Sequence, residues 1–137
     1  MKVKTTRRLL CILLAVTLLS SGITAFAAMP DTAVPYYTGT ASIYAGLSIS
    51  STGLASCSGD IALRSGYVAN LTMKLQQYTS SGWTTIETWF TATQKGLSGS
   101  RYVAHGYYYR VVTSASVYTS SGGYVESPSV NSANKYY

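Results

Sequence analysis

Tyr107-Tyr108-Tyr109-Arg110-Val111-Val112-Thr113-Ser114-Ala115-Ser116-Val117-Tyr118 is the run that decides the fold. Tyr107, Tyr109, Val111, Thr113, Ala115 and Val117 share one side of a pleated strand, and Tyr108, Arg110, Val112, Ser114, Ser116 and Tyr118 share the other. Tyrosine, valine and threonine fit a pleated, half-buried surface well. The first set is the more apolar, so this strand is expected to turn it toward a core and leave the second set outside.

The same period of two recurs on both sides of this run. Upstream, Ala41, Ile43, Ala45, Leu47 and Ile49 alternate with Ser42, Tyr44, Gly46 and Ser48, and a turn at Ser50 to Gly53 follows. Ala55, Cys57, Gly59, Ile61 and Leu63 then oppose Ser56, Ser58, Asp60, Ala62 and Arg64, and Leu71, Met73 and Leu75 oppose Thr72, Lys74 and Gln76. Thr79-Ser80-Ser81-Gly82 reads as a hairpin turn between Tyr78 and Trp83. The strand from Trp83 to Thr91 has two competing phases, because Trp83/Trp89 and Ile86/Phe90 fall on opposite faces. A loop is expected over Ala92 to Ser100 and a short strand over Arg101 to His105. Downstream, Ser120 to Gly123 is a turn, and Tyr124 to Val130 is a last strand that Pro128 marks as an edge. No apolar helical stripe interrupts the series. About seven short strands with tight connections predict an all-β, single-domain antiparallel sandwich.

The first residues read differently. Lys2, Lys4, Arg7 and Arg8 precede an apolar run from Leu9 to Leu19, and Ala25-Phe26-Ala27 ends it with the pattern cut by a signal peptidase. Residues 1–27 are therefore expected to be a cleaved secretory signal helix, 28–39 an irregular arm containing Pro30 and Pro35, and 40–137 the β-sandwich domain. The exported chain is expected to be extracellular. No later apolar stretch reaches the roughly 18 residues of a membrane span, so no membrane anchor is expected after cleavage.

Cleavage changes the totals. The net charge of +6 falls to +2 when the four leader cations depart, and the remaining basic residues lie far apart. Nucleic acid, which requires clustered Lys and Arg, is not an expected partner. Cys11 leaves with the leader, so Cys57 stands alone and no disulfide within the chain is expected; a lone exported thiol either pairs between chains or is buried, and the inward phase of Cys57 favours the core.

Gly106-Tyr107-Tyr108-Tyr109-Arg110-Val111 resembles the penultimate strand of immunoglobulin-like and fibronectin-type sandwiches, where a tyrosine bonds back to an earlier corner. Alternation assigns that role to Tyr107 rather than Tyr108. Cys57 stands where an antibody domain carries its bridging cysteine, but no partner cysteine follows, so the likeness is one of architecture. The order Ala55-Ser56-Cys57-Ser58-Gly59, Leu75-Gln76-Gln77-Tyr78, Gly82-Trp83 with Ile86 and Trp89, then Gly106 to Val111 is similar to small exported proteins of Gram-positive bacteria. They form a domain family of unknown function. That resemblance implies a secreted domain from about Thr40 to Glu126 and transfers no site residues.

Catalysis finds little support. Cys57 with His105 would require an exposed thiol, and Asp60 with Glu87 reads as two solvated charges on different strands. No catalytic residues, no metal site and no cofactor are expected. Binding has more material, since all 13 tyrosines follow the leader. Tyr44, Tyr78, Tyr108 and Tyr118 are expected to point outward, joined by either Trp83 or Trp89, as an aromatic platform for a cell-surface carbohydrate or protein. The alternative expectation is a structural or host-directed factor acting by self-assembly, and after it a small hydrolase.

Overall fold

The computed structural model describes residues 36–137, which contain strands and no helix. The expected leader and residues 28–35 of the expected arm lie outside the described residues. The described residues form an all-β sandwich of two antiparallel sheets. Its strands are β1 (Thr40–Ile49), β2 (Leu54–Leu63), β3 (Tyr67–Thr79), β4 (Gly82–Ala92), β5 (Gly96–Tyr102), β6 (Tyr108–Thr119), β7 (Tyr124–Glu126), β8 (Ser129–Asn131) and β9 (Lys135–Tyr136). The first sheet has the order β1-β2-β5, and the second β4-β3-β6-β7, with β8 and β9 also paired to β6. The strand expected over Tyr124 to Val130 is split into β7 and β8 along one edge of β6, and β9 is a further, unexpected piece on the same strand. Pro128, which lacks an N–H, is buried between the first two and still accepts a hydrogen bond from the Ala115 N–H at 3.0 Å.

Alternation places the core between the sheets. Ala45, Ala55 and Cys57 of the first sheet pack with Met73, Leu75, Tyr109 and Val111 of the second. Beside them Ile61 packs with Ala69, Leu71, Ala115 and Val117. Each large side chain so buried stabilises the fold by about 1.5–3 kcal/mol relative to exposure. The Ser80-Ser81 turn closes the β3–β4 hairpin with Gly82 at φ 94°, a conformation that side-chain-bearing residues rarely adopt.

Four expectations need correction. The corner tyrosine is Tyr109, not Tyr107: its hydroxyl donates to the Ala104 carbonyl at 2.8 Å, and its ring is fully buried, whereas Tyr107 is 40% exposed ahead of the strand. Alternation identified the correct face but not how far into β6 the corner bond lies. At the start of β1, a shift of register makes Ala41 the extra residue, so Thr40 turns inward and Ala41 outward. The segment read as a loop over Ala92 to Ser100 is largely strand, because β5 pairs with β2 from Asp60↔Gly96 to Leu54↔Tyr102, and the strand expected over Arg101 to His105 stops at Tyr102. Its glycines mark a close approach rather than a loop: a Cβ on Gly99 would lie 2.2 Å from the Trp89 ring.

Pairing also settles the phase of β4, which the sequence leaves open. Its pairing with β3 runs Leu75↔Glu87, then Gln76↔Thr85, which leaves Ile86 as an extra residue in a β-bulge. One inserted residue reverses the alternation. Trp83 therefore faces outward beside Tyr78, while Trp89 and Ile86 both pack against the core.

Candidate aromatic binding site

The outer face of the second sheet carries the site. Register places Trp83 of β4 opposite Tyr78 of β3, and Tyr108 of β6 opposite Tyr136 of β9. Since Gln76 pairs with Arg110, and Gln77 with Tyr109, Tyr78 and Tyr108 continue one row across the sheet. Opposed residues of an antiparallel pair project from the same face. The two halves of the row are tilted pairs: Tyr78 and Trp83 have ring centroids 5.1 Å apart at 61°, and Tyr108 and Tyr136 are 5.0 Å apart at 60°. Between them lies a cleft of about 270 Å³ lined by Tyr78, Trp83, Tyr108 and Asn134.

Arg110 stiffens this arrangement. Its guanidinium lies 4.3 Å from the Trp83 ring centroid, and its Nε donates to Gln76 Oε1 at 2.8 Å. A cation over an indole contributes about 0.5–1 kcal/mol at exposed sites, so the main consequence is to hold Trp83 in one orientation. The other donors at the cleft are the indole N–H, the two tyrosine hydroxyls and the Asn134 amide. The side-chain carboxylates among the described residues sit elsewhere. Asp60 is in β2 of the opposite sheet, against Gly96. Glu87 accepts from Arg101 at 2.9 Å, and the same guanidinium also donates to the Ile86 carbonyl at the bulge. Glu126 accepts from the backbone N–H groups of Thr38, Gly39 and Thr40 at 2.7, 3.0 and 2.8 Å.

No protein-family model matches the chain, and no curated protein matches it.

Three of the six expected platform residues, Tyr78, Trp83 and Tyr108, thus come together, and three do not. Tyr44 stands on the outer face of the first sheet, folded toward Gly46, where a Cβ would lie 2.8 Å from its hydroxyl. Tyr118 occupies the correct face but ten residues along β6 from Tyr108, roughly 33 Å away at about 3.3 Å per residue. There it pairs edge-on with Tyr124 at 5.9 Å. Trp89 is removed from the site by the bulge. Arg110 was legible in the sequence, two residues beyond Tyr108 in the outward phase. Asn134 and Tyr136 were not, because their position depends on β9 rejoining β6 after two interruptions.

The groups considered for catalysis are held apart. Cys57 is 3% exposed on the inner face of β2, and burial pushes its thiol up to about 11. His105 stacks on Tyr137 at 3.8 Å and 23°. Asp60 and Glu87 belong to different sheets. At Glu126, desolvation works to raise the carboxyl. The hydrogen bonds from the Thr38, Gly39 and Thr40 backbone N–H groups oppose it, and the group ends below the ordinary glutamate range.

Proposed function

We propose that the chain is an exported, non-enzymatic binding protein of the small Gram-positive type that its motif order resembles. It holds an extended carbohydrate or peptide of the cell surface or its surroundings across the outer face of the second sheet. The observation that carries this reading is the row of Trp83, Tyr78, Tyr108 and Tyr136, the first three of which line one cleft with Asn134, with Arg110 bracing the indole. Four aromatic side chains on adjacent strands give area without the entropy loss of longer chains. The buried thiol with its raised pKa supports a binding role over a thiol-dependent hydrolase.

The test is to probe glycan and peptide arrays with the exported chain and three variants. Signal is expected to fall at least about tenfold in Trp83→Ala and in Tyr108→Ala, as for central interface residues. Tyr44→Ala, on the opposite sheet, should retain it. Ligands captured equally by all four proteins would remove the aromatic row as the site.

A further inference from the structure

We infer that the cleft is built for a proline-rich peptide in the polyproline II conformation. This rests on the binding reading above and specifies its ligand. Two independent observations support it, the shape of the aromatic row and the chemistry of its polar groups.

The row is not a flat platform. Trp83 with Tyr78 makes one ridge, Tyr108 with Tyr136 makes a second, and both pairs are steeply tilted. The strands run in the order β4-β3-β6-β9 at this end. Neighbouring strands lie about 4.8 Å apart, so the ridge centres, two strands apart, are separated by roughly 9.6 Å. A polyproline II helix has three residues per turn at about 3.1 Å each, so equivalent side chains recur roughly every 9.3 Å. A peptide lying across the strands therefore offers one proline to each ridge, with the cleft between them facing the two intervening residues. Extended glycans offer a comparable repeat, so polar chemistry chooses between the two.

The polar groups point the same way. Sugars present many hydroxyl donors and are matched by carboxylate acceptors, yet Glu87 is engaged by Arg101, Glu126 by the backbone of residues 38–40, and Asp60 lies on the opposite sheet. The indole N–H and the guanidinium can only donate, and the Tyr78, Tyr108 and Asn134 side chains can donate as well. Polyproline II leaves its carbonyls without internal partners, and proline adds no N–H of its own, so such a peptide is rich in acceptors and short of donors. Aromatic-lined grooves recognise this conformation elsewhere because it is already ordered before binding.

The experiment titrates the exported chain with decaproline, with a Gly-Ser decapeptide and with cellohexaose, following binding by calorimetry. Decaproline is expected to bind saturably and the other two not. Trp83→Ala and Tyr108→Ala should weaken decaproline at least about tenfold, while their circular dichroism and thermal unfolding confirm a folded sandwich. Trp83→Phe, which keeps a ring and loses the N–H, should fall between wild type and Trp83→Ala. Binding of cellohexaose but not decaproline, lost in Trp83→Ala, overturns the peptide assignment and leaves the binding reading standing. Equal binding of the Gly-Ser peptide overturns the polyproline assignment, as does decaproline binding that survives Trp83→Ala. Absence of binding in every arm, with silent arrays, overturns both readings.

Discussion

The two outer faces of the sandwich are built on the same alternation and could hardly differ more. On the first sheet, rows such as Ser48-Ser56-Ser100 and Gly46-Ser58-Ser98 carry only hydroxyls and hydrogens, with Tyr44 and Asp60 beyond them. A depression of about 260 Å³ exists there too, between Tyr44, Ser48, Ser56 and Ser58. On the second sheet the cleft of similar size is walled by Tyr78, Trp83 and Tyr108. Volume therefore does not distinguish the faces; lining does. Serine surfaces are well hydrated and gain little by being covered, whereas aromatic rings gain in proportion to the apolar area they bury. One core supports both faces, so only the side chains turned away from it can separate their roles.

The strongest way to break the comparison is to remove what the two faces share. Tyr109→Ala deletes the largest fully buried side chain among the described residues together with its bond to Ala104, and should cost about 3–5 kcal/mol in urea unfolding. Both faces should be lost in one transition, followed by Trp83 fluorescence and far-ultraviolet circular dichroism. Non-coincident transitions would show that the faces stand on separable cores. Tyr109→Phe keeps the ring and leaves the Ala104 carbonyl without this donor, for a loss of about 1 kcal/mol.

A gentler contrast sets the inside of the first sheet against its outside. Gly99→Ala would drive a methyl into the rigid Trp89 ring and should cost about 1–3 kcal/mol. Gly46→Ala would meet only Ser58 Oγ and the Tyr44 phenol, side-chain ends that can rotate away, so its cost should stay below about 1 kcal/mol. Thermal unfolding of the pair checks this, and equal losses would contradict the assignment of inner and outer positions.

The smallest effect concerns the clamp between Glu126 and residues 38–40. Because the native carboxyl sits below its ordinary range, its contribution is fully present above the unfolded value of about 4.3 and disappears as pH falls through the lowered native value. Glu126→Gln should lose about 1 kcal/mol at neutral pH, a figure held down by solvent around the half-buried group. The variant should also show a flatter stability profile across that acid window. An unchanged profile would mean that the clamp contributes nothing to folding.

How far the sequence was legible follows from how local each signal is. Leu71, Met73 and Leu75 were readable as core, because three inward positions in one uninterrupted strand need no knowledge of their neighbours. Trp83 and Trp89 were not separable, because a bulge at Ile86 is a property of the β3–β4 pair rather than of β4 alone. Gly96 and Gly99 misled for the same reason: a glycine that makes room for a side chain on another strand, the Asp60 carboxylate or the Trp89 ring, looks, in isolation, like a loop.

Alternation, turn residues and the scarcity of aliphatic runs were enough to specify an all-β sandwich and to send Tyr78 and Tyr108 outward, since side-chain direction along a strand is set by the backbone itself. Which outward aromatics become neighbours was decided only in three dimensions. Register, one bulge and the return of β9 to β6 set Trp83, Tyr78, Tyr108 and Tyr136 in one row and dispersed Tyr44, Trp89 and Tyr118. Pairing between distant strands depends on contacts that no single segment encodes, and a shift of one residue is sufficient to turn a side chain from solvent to core.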